Sequence, residues 1–297
     1  MMYREGVILE NYQKYIPKDW EKHIEKLNTG IHMAYYECGK KDGIPLLLIH
    51  GVTDGCVSWM QMAPKLAERG YHCYIVEYRG NGATDKPDQG KTGYTAELLA
   101  DDIMALMDSI GLEKTHVAGH SYGTLISQVL AARYPERFFS YTLIDAAVNC
   151  TENPVLKWAV NGEENGFNGV EAYDDFMPAD FVKDWTATGN EIEDFRKAAY
   201  AHAAGLPAVA WKNLMRGLTD FNSSSFIGDI KGDVLVIWGT EDDIFTADDQ
   251  KDLKEGLTSC NVRYVDIEGV SHNGYWDSLE MAEKYADHID RFIKQII

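Results

Sequence analysis

Along this chain, short apolar runs alternate with stretches in which apolar residues recur every three or four positions. The clearest run is Pro45-Leu46-Leu47-Leu48-Ile49-His50, which follows Asp42-Gly43. An apolar run without polar alternation is what a strand covered on both faces needs. Residues 72–77, 115–118, 141–145, 234–239 and 262–265 repeat that pattern. Between them, 60–69 reads as a helix closed by Gly70, and 95–109 sets Leu98, Leu99, Ile103, Leu106 and Met107 at helical spacing before Gly111. Residues 124–134 and about 277–296 also read as helices. Residues 23–27 and 31–36 flank the turn signal Asn28-Thr29-Gly30 and read as two antiparallel strands. Buried-type strands alternating with helices predict an α/β fold with a doubly wound, mostly parallel sheet.

The alternation fails between about 146 and 225. No comparable aliphatic run occurs there, and Trp158, Phe167, Tyr173, Phe176, Trp185, Phe195, Tyr200 and Trp211 dominate the apolar content. This stretch reads as a helical insertion after the sixth strand, capping the C-terminal edge of the sheet, where α/β sheets bind ligands. The division expected is a core in two parts, 1–145 and 226–297, with a cap at 146–225. The first 20 or so residues, polar and aromatic without a period, form a short extension packed on the body. Most of the cap aromatics are expected to pack its helices, and some to line an apolar pocket.

One junction carries chemistry. Gly119-His120-Ser121-Tyr122-Gly123 joins the strand at 115–118 to the helix that follows. A G-x-S-x-G at a strand-to-helix turn is the pattern of a nucleophile elbow, with glycines relieving the crowding around a strained central serine. A serine hydroxyl is a weak nucleophile and needs a histidine base, itself oriented by an acid. The elbow predicts these downstream in the order Ser, acid, His. His272, in Gly269-Val270-Ser271-His272-Asn273-Gly274, follows the last strand. Asp242, in Gly239-Thr240-Glu241-Asp242-Asp243, follows the strand before it. Asp243 and Asp145 compete with Asp242 for the acid position. His120 is expected to point away from the site, His50 to serve its own loop, Arg79 to stabilise the turn Arg79-Gly80-Asn81-Gly82, and Cys56 to pack.

With Leu48-Ile49-His50-Gly51 and Glu77-Tyr78-Arg79-Gly80-Asn81-Gly82 added to these motifs, the chain resembles the α/β-hydrolase superfamily, in particular its capped, esterase-like serine branch. The motifs span nearly the whole chain in the family's order. The resemblance implies that Ser121 is the nucleophile, His272 the general base and Asp242 the orienting acid, which the family's Gly-x-x-Asp spacing favours. It implies that the backbone N–H groups of Val52 and Tyr122 form the oxyanion hole. Relatives that open epoxides or remove halide carry aspartate at the elbow centre, so Ser121 points to acyl transfer on a carboxylic ester. Carbon–carbon bond hydrolysis with the same three residues, and a slowly turning-over ligand receptor, are the alternatives.

Composition narrows the partners. The 297 residues carry 28 Lys and Arg against 47 Asp and Glu, a net charge of −19. That excess opposes nucleic acid and anionic membrane surfaces and disfavours strongly anionic substrates, unless residues such as Arg196, Lys212 or Arg216 offset it. A small, largely apolar acyl substrate fits. The N-terminus shows no apolar signal segment and no run is long enough to span a membrane, so a cytoplasmic location is expected. Five cysteines, odd in number and without CxxC spacing, read as reduced thiols. No three-ligand metal cluster and no dinucleotide fingerprint is evident, so no cofactor or metal is expected. The sequence leaves the oligomeric state open.

Overall fold

The computed structural model describes residues 11–88, 93–162 and 190–297, together with Gly169, Pro178 and Val182. Phe167, Tyr173, Phe176 and Trp185 lie outside the described residues. Eight strands form one sheet in the order β1-β2-β4-β3-β5-β6-β7-β8. They are β1 (Glu21–Lys26), β2 (His32–Gly39), β3 (Ile44–Ile49), β4 (Tyr71–Glu77), β5 (Thr115–His120), β6 (Phe138–Ile144), β7 (Asp233–Gly239) and β8 (Asn261–Ile267). β2 pairs antiparallel with both β1 and β4, and every pairing from β4 through β8 is parallel. The chain passes from β3 to β4 on one side and then to β5 on the other. The C-terminal ends of β3 and β5 therefore flank the point where the winding reverses, the usual place for a ligand crevice.

β3 shows why the sheet sits in the middle of the molecule. Leu46, Leu47, Leu48 and Ile49 are all buried. Leu47 and Ile49 join the apolar layer that holds α2 (Ala96–Ser109) and α3 (Tyr122–Arg133), while Leu46 and Leu48 join the opposite layer with α1 (Met62–Glu68) and the last helix. Successive side chains of a strand point to opposite faces, so an unbroken apolar run feeds two cores. Between β6 and β7 lie α4 (Pro154–Asn161), α5 (Glu193–Gly205) and α6 (Ala208–Thr219). α7 (Ala247–Gly256) and α8 (Leu279–Ile293) complete the described helices. No helix among the described residues is long and apolar enough to cross a membrane.

Two boundaries differ from expectation for physical reasons. The helix after the elbow starts at Tyr122 and not at Thr124, since the Thr124 N–H and hydroxyl both bond the Ser121 carbonyl and close the first turn directly on the serine. The closing helix is shorter than 277–296, because Gly274–Trp276 form a separate 3-10 turn and Ser278 caps α8 through Met281 N–H. The N-terminal extension is described from Asn11. Tyr12 donates to buried Glu77 Oε1 at 2.9 Å and meets the ring of His202 on α5 edge-on at 4.8 Å.

Candidate active site

The serine turn is built by crowding. Ser121 has φ 50° and ψ −119°, a conformation that costs free energy in a residue with a side chain. A Cβ on Gly119 would collide with the Gly123 carbonyl, and one on Gly123 would collide with the Ile49 carbonyl of β3. Only glycine lets the elbow close this tightly against its neighbouring strand. Ser121 N–H donates to Ile144 O at 3.0 Å, which ties the turn to β6 as well.

Two further loops meet Ser121. His272, after β8, places Nε2 2.9 Å from Ser121 Oγ and Nδ1 2.8 Å from Asp242 Oδ2. Asp242, after β7, receives the N–H groups of Ile244 and Phe245 on Oδ1, both at 2.9 Å. Three donors thus replace the water this buried carboxylate would otherwise hold. The loops that carry Asp242 and His272 are stitched together by Glu241 N–H on Val270 O and Gly269 N–H on Thr240 Oγ1. Burial alone would lower the basicity of His272, but the charge and hydrogen bond of Asp242, with Asp145 and Asp54 beyond, raise it above its ordinary value.

The competing acids are placed differently. Asp243 is exposed. Asp145 ends β6 at φ 53°, wholly buried, with Oδ1 accepting Gly239 N–H at 3.0 Å and Oδ2 without a partner. Burial pushes its carboxyl well above the ordinary carboxylate value. Asp145, His120 and His272 bring their ligand atoms within 4.8 Å of one another. Hydrogen bonds already occupy His120 Nε2, His272 Nδ1 and Asp145 Oδ1, which leaves a poor donor set for a metal ion.

His120 corrects the expectation that it points away. Its Nε2–H donates to His272 O at 2.9 Å, so it fixes the backbone of the base loop from beneath. Sequence reasoning missed this because the residue next to the elbow serine carries no spacing signal for a contact 152 positions downstream. His50 donates from Nδ1 to Gly51 O and stacks on Tyr78, and burial lowers its pKa to about 4. Arg79 makes a two-pronged pair with buried Asp102, at 2.8 and 2.9 Å. Cys56 is fully buried and its thiol is pushed well up by burial, so it packs as expected. All five cysteines are free thiols.

Tyr122 is the first residue of α3, so its N–H has no partner within the helix and is directed at the serine end. Val52 lines the cavity over Ser121 along with Leu156 of α4, Met215 and Leu218 of α6, Ile244 and Trp276. That cavity measures about 20 Å³, room for a water-sized group. Besides Ser121 and His272, the polar residues in its wall are Asp54, His120 and Asn273.

The comparisons with known proteins agree with this architecture. The family model described as alpha/beta hydrolase fold matches residues 44–279. Lipase 3 of Moraxella sp. (strain TA144) is 30% identical over 249 residues, covering 82% of this chain and 77% of that protein. Epoxide hydrolase 1 of Caenorhabditis elegans is 24% identical over 307 residues, covering 93% and 71%. Among solved structures, a hydrolase from Pseudomonas aeruginosa PA01 superposes with a TM-score of 0.76 at 17% identity, covering 92% of this chain and 98% of that one. With the family model matching well over half of its length, the chain belongs to the alpha/beta-hydrolase family.

Proposed function

We propose that the protein is a serine hydrolase acting on a carboxylic ester or a related acyl bond. The observation that carries this reading is the unbroken hydrogen-bonded line from Asp242 through His272 to Ser121, at 2.8 and 2.9 Å, ending on a strained serine. In this reading His272 keeps its proton on Nδ1 against Asp242 and accepts the Ser121 hydroxyl proton at Nε2. Ser121 Oγ attacks the carbonyl carbon, and the C=O electron pair moves onto oxygen. The Val52 and Tyr122 N–H groups hold that oxyanion, each worth about 3–4 kcal/mol in the transition state. Collapse breaks the bond to the leaving group, which takes the proton from His272. Water then repeats the sequence on the acyl-enzyme, with His272 as base.

Serine at the elbow centre favours this chemistry over epoxide opening, in spite of the epoxide hydrolase among the relatives, since an aspartate there forms an ester that a serine does not. Residues 146–225 act as a cap over the two core parts, a reading supported by Leu156, Met215 and Leu218 in the cavity wall. The apolar majority of that wall suits a largely apolar acyl group. The test is hydrolysis of 4-nitrophenyl acetate and butyrate by the wild type and by Ser121→Ala. We expect turnover in the first and background rates in the second. Equal rates in the two would remove Ser121 from the mechanism, and strong activity confined to a dienoic keto acid would replace ester by carbon–carbon bond hydrolysis.

A further inference from the structure

Asp54 is the cavity residue that this mechanism leaves unused. It stands two positions after Val52, and its side chain, 11% exposed, reaches the cavity over Ser121. The nearby buried carboxylates find their donors inside the protein to different degrees. Asp102 takes two bonds from Arg79, Glu77 takes Tyr12 O–H and Ala83 N–H, and Asp242 takes three donors, whereas Asp145, away from the cavity wall, takes one from Gly239 and keeps an unpartnered Oδ2. Asp54 differs from them. Among the described residues its closest partner is His120 Nδ1, at 3.7 Å, beyond hydrogen-bond reach. His120 cannot close that gap freely, because its Nε2–H holds His272 O from the other end of the ring. Burial would raise the Asp54 carboxyl, but the imidazoles of His120, His50 and His202 around it hold it below the ordinary carboxylate value. Asp54 thus presents to the cavity an acceptor that no donor of the described residues reaches, and a ligand that supplies a donor there gains a hydrogen bond to a charged group.

We infer that Asp54 is a substrate-recognition residue, and that the preferred substrate carries a hydrogen-bond donor, an amide N–H or a protonated amine, beside its scissile carbonyl. The inference rests on the acyl-hydrolase reading of Ser121. Several features support it. The rest of the described wall is apolar apart from the hydrogen-bonded residues and Asn273, so one donor on an otherwise apolar ligand matches one acceptor in the site. Asp54 and Ser121 line the same cavity, so a group beside the scissile carbonyl faces both. The overall charge of −19 favours neutral and cationic ligands over anionic ones.

Two matched substrate pairs test this, one for each side of the scissile bond. The 4-nitrophenyl esters of N-acetylglycine and of 4-oxopentanoic acid differ only by N–H against CH2 in the acyl chain. The butanoic thioesters of 2-(dimethylamino)ethanethiol and of 3-methylbutanethiol differ by a protonated nitrogen against CH on the leaving side. Binding is measured by calorimetry on Ser121→Ala, which cannot turn the compounds over, and kcat/KM on the wild type. We expect the donor member of at least one pair to bind about ten- to a hundredfold more tightly, as a hydrogen bond to a charged acceptor provides. In Ser121→Ala/Asp54→Asn, and in Ser121→Ala/Asp54→Ser should the first fold poorly, that preference shrinks to about twofold or less. Equal binding of both members in both pairs, or a preference that survives both substitutions, overturns the role of Asp54. Absence of wild-type turnover on all four compounds counts against the acyl-hydrolase reading, whereas the binding ratio still decides Asp54.

Discussion

The neighbouring strands β6 and β7 each end in a buried aspartate aimed at the same histidine, yet the two ends are not equivalent. Asp145 closes β6 and Asp242 follows β7. Asp242 is met by two backbone N–H groups and the imidazole, whereas Asp145 has a single N–H from Gly239 and an oxygen without a hydrogen-bond partner, 3.9 Å from His120 Nε2. Proximity to an imidazole therefore does not make an acid a partner. The count of donors that replace water decides which carboxyl is held in place, and hence which one can fix the orientation of a histidine.

The sharpest way to break this comparison is to exchange each acid for its amide. Asp242→Asn keeps an acceptor for Ile244 and Phe245 but turns an N–H toward His272 Nδ1. That selects the wrong tautomer, and we expect kcat to fall about 10⁴-fold in ester turnover. Asp145→Asn, at a carboxyl that makes no hydrogen bond to His272, should leave kcat within about threefold at pH 7. Comparable losses in the two would erase the distinction.

The pH profile sharpens it further. His272 must be neutral to act, and its pKa is raised, so the acid limb of kcat/KM in the wild type should have its midpoint above the ordinary histidine value of about 6.5. In Asp242→Asn, where burial is no longer opposed by that charge, the residual activity should show a midpoint that moves down. In Asp145→Asn, which removes a smaller contribution, it should move down less. A smaller effect concerns stability. A carboxyl whose folded pKa is raised binds its proton more tightly when folded, so stability is lost as pH climbs from the unfolded value near 4 toward the folded one. Replacing Asp145 by Asn removes that loss. Melting temperatures of the variant and the wild type should diverge in favour of the variant between pH 4 and pH 8, and parallel curves would show Asp145 to be ionised.

Much of this was readable from the chain. The apolar run 45–50 announced a strand covered on both faces, and the spacing after β7 separated Asp242 from Glu241 and Asp243. The distinction between Asp242 and Asp145 was not readable, because it depends on which loop turns its backbone N–H groups inward. α7 also escaped the pattern. Of its ten residues Gln250 and Leu253 are the buried ones, too few for an apolar period, and the usable signal was the capping box of Thr246 and Asp249. The apolar pattern puts the start of the elbow helix two residues late, since the missing Cβ of Gly123 is what lets α3 begin against β3. His120 and Asp54 were passed over for a related reason, since both act through contacts made only when β3, β5 and β8 come together.

Thr53 has a consequence of its own. It is a β-branched residue at φ 85°, fully buried, with its hydroxyl lacking a partner, and it lies between Val52 and Asp54. Strain of this kind costs on the order of 1–3 kcal/mol. Selection for heat resistance alone should therefore find Thr53→Gly early, because glycine accepts that backbone and removes the stranded hydroxyl. The same change would slacken the segment that carries both neighbours. Robustness and turnover in this protein are thus expected to pull against each other at one identifiable position, and a laboratory lineage evolved for thermal endurance would record that conflict at residue 53.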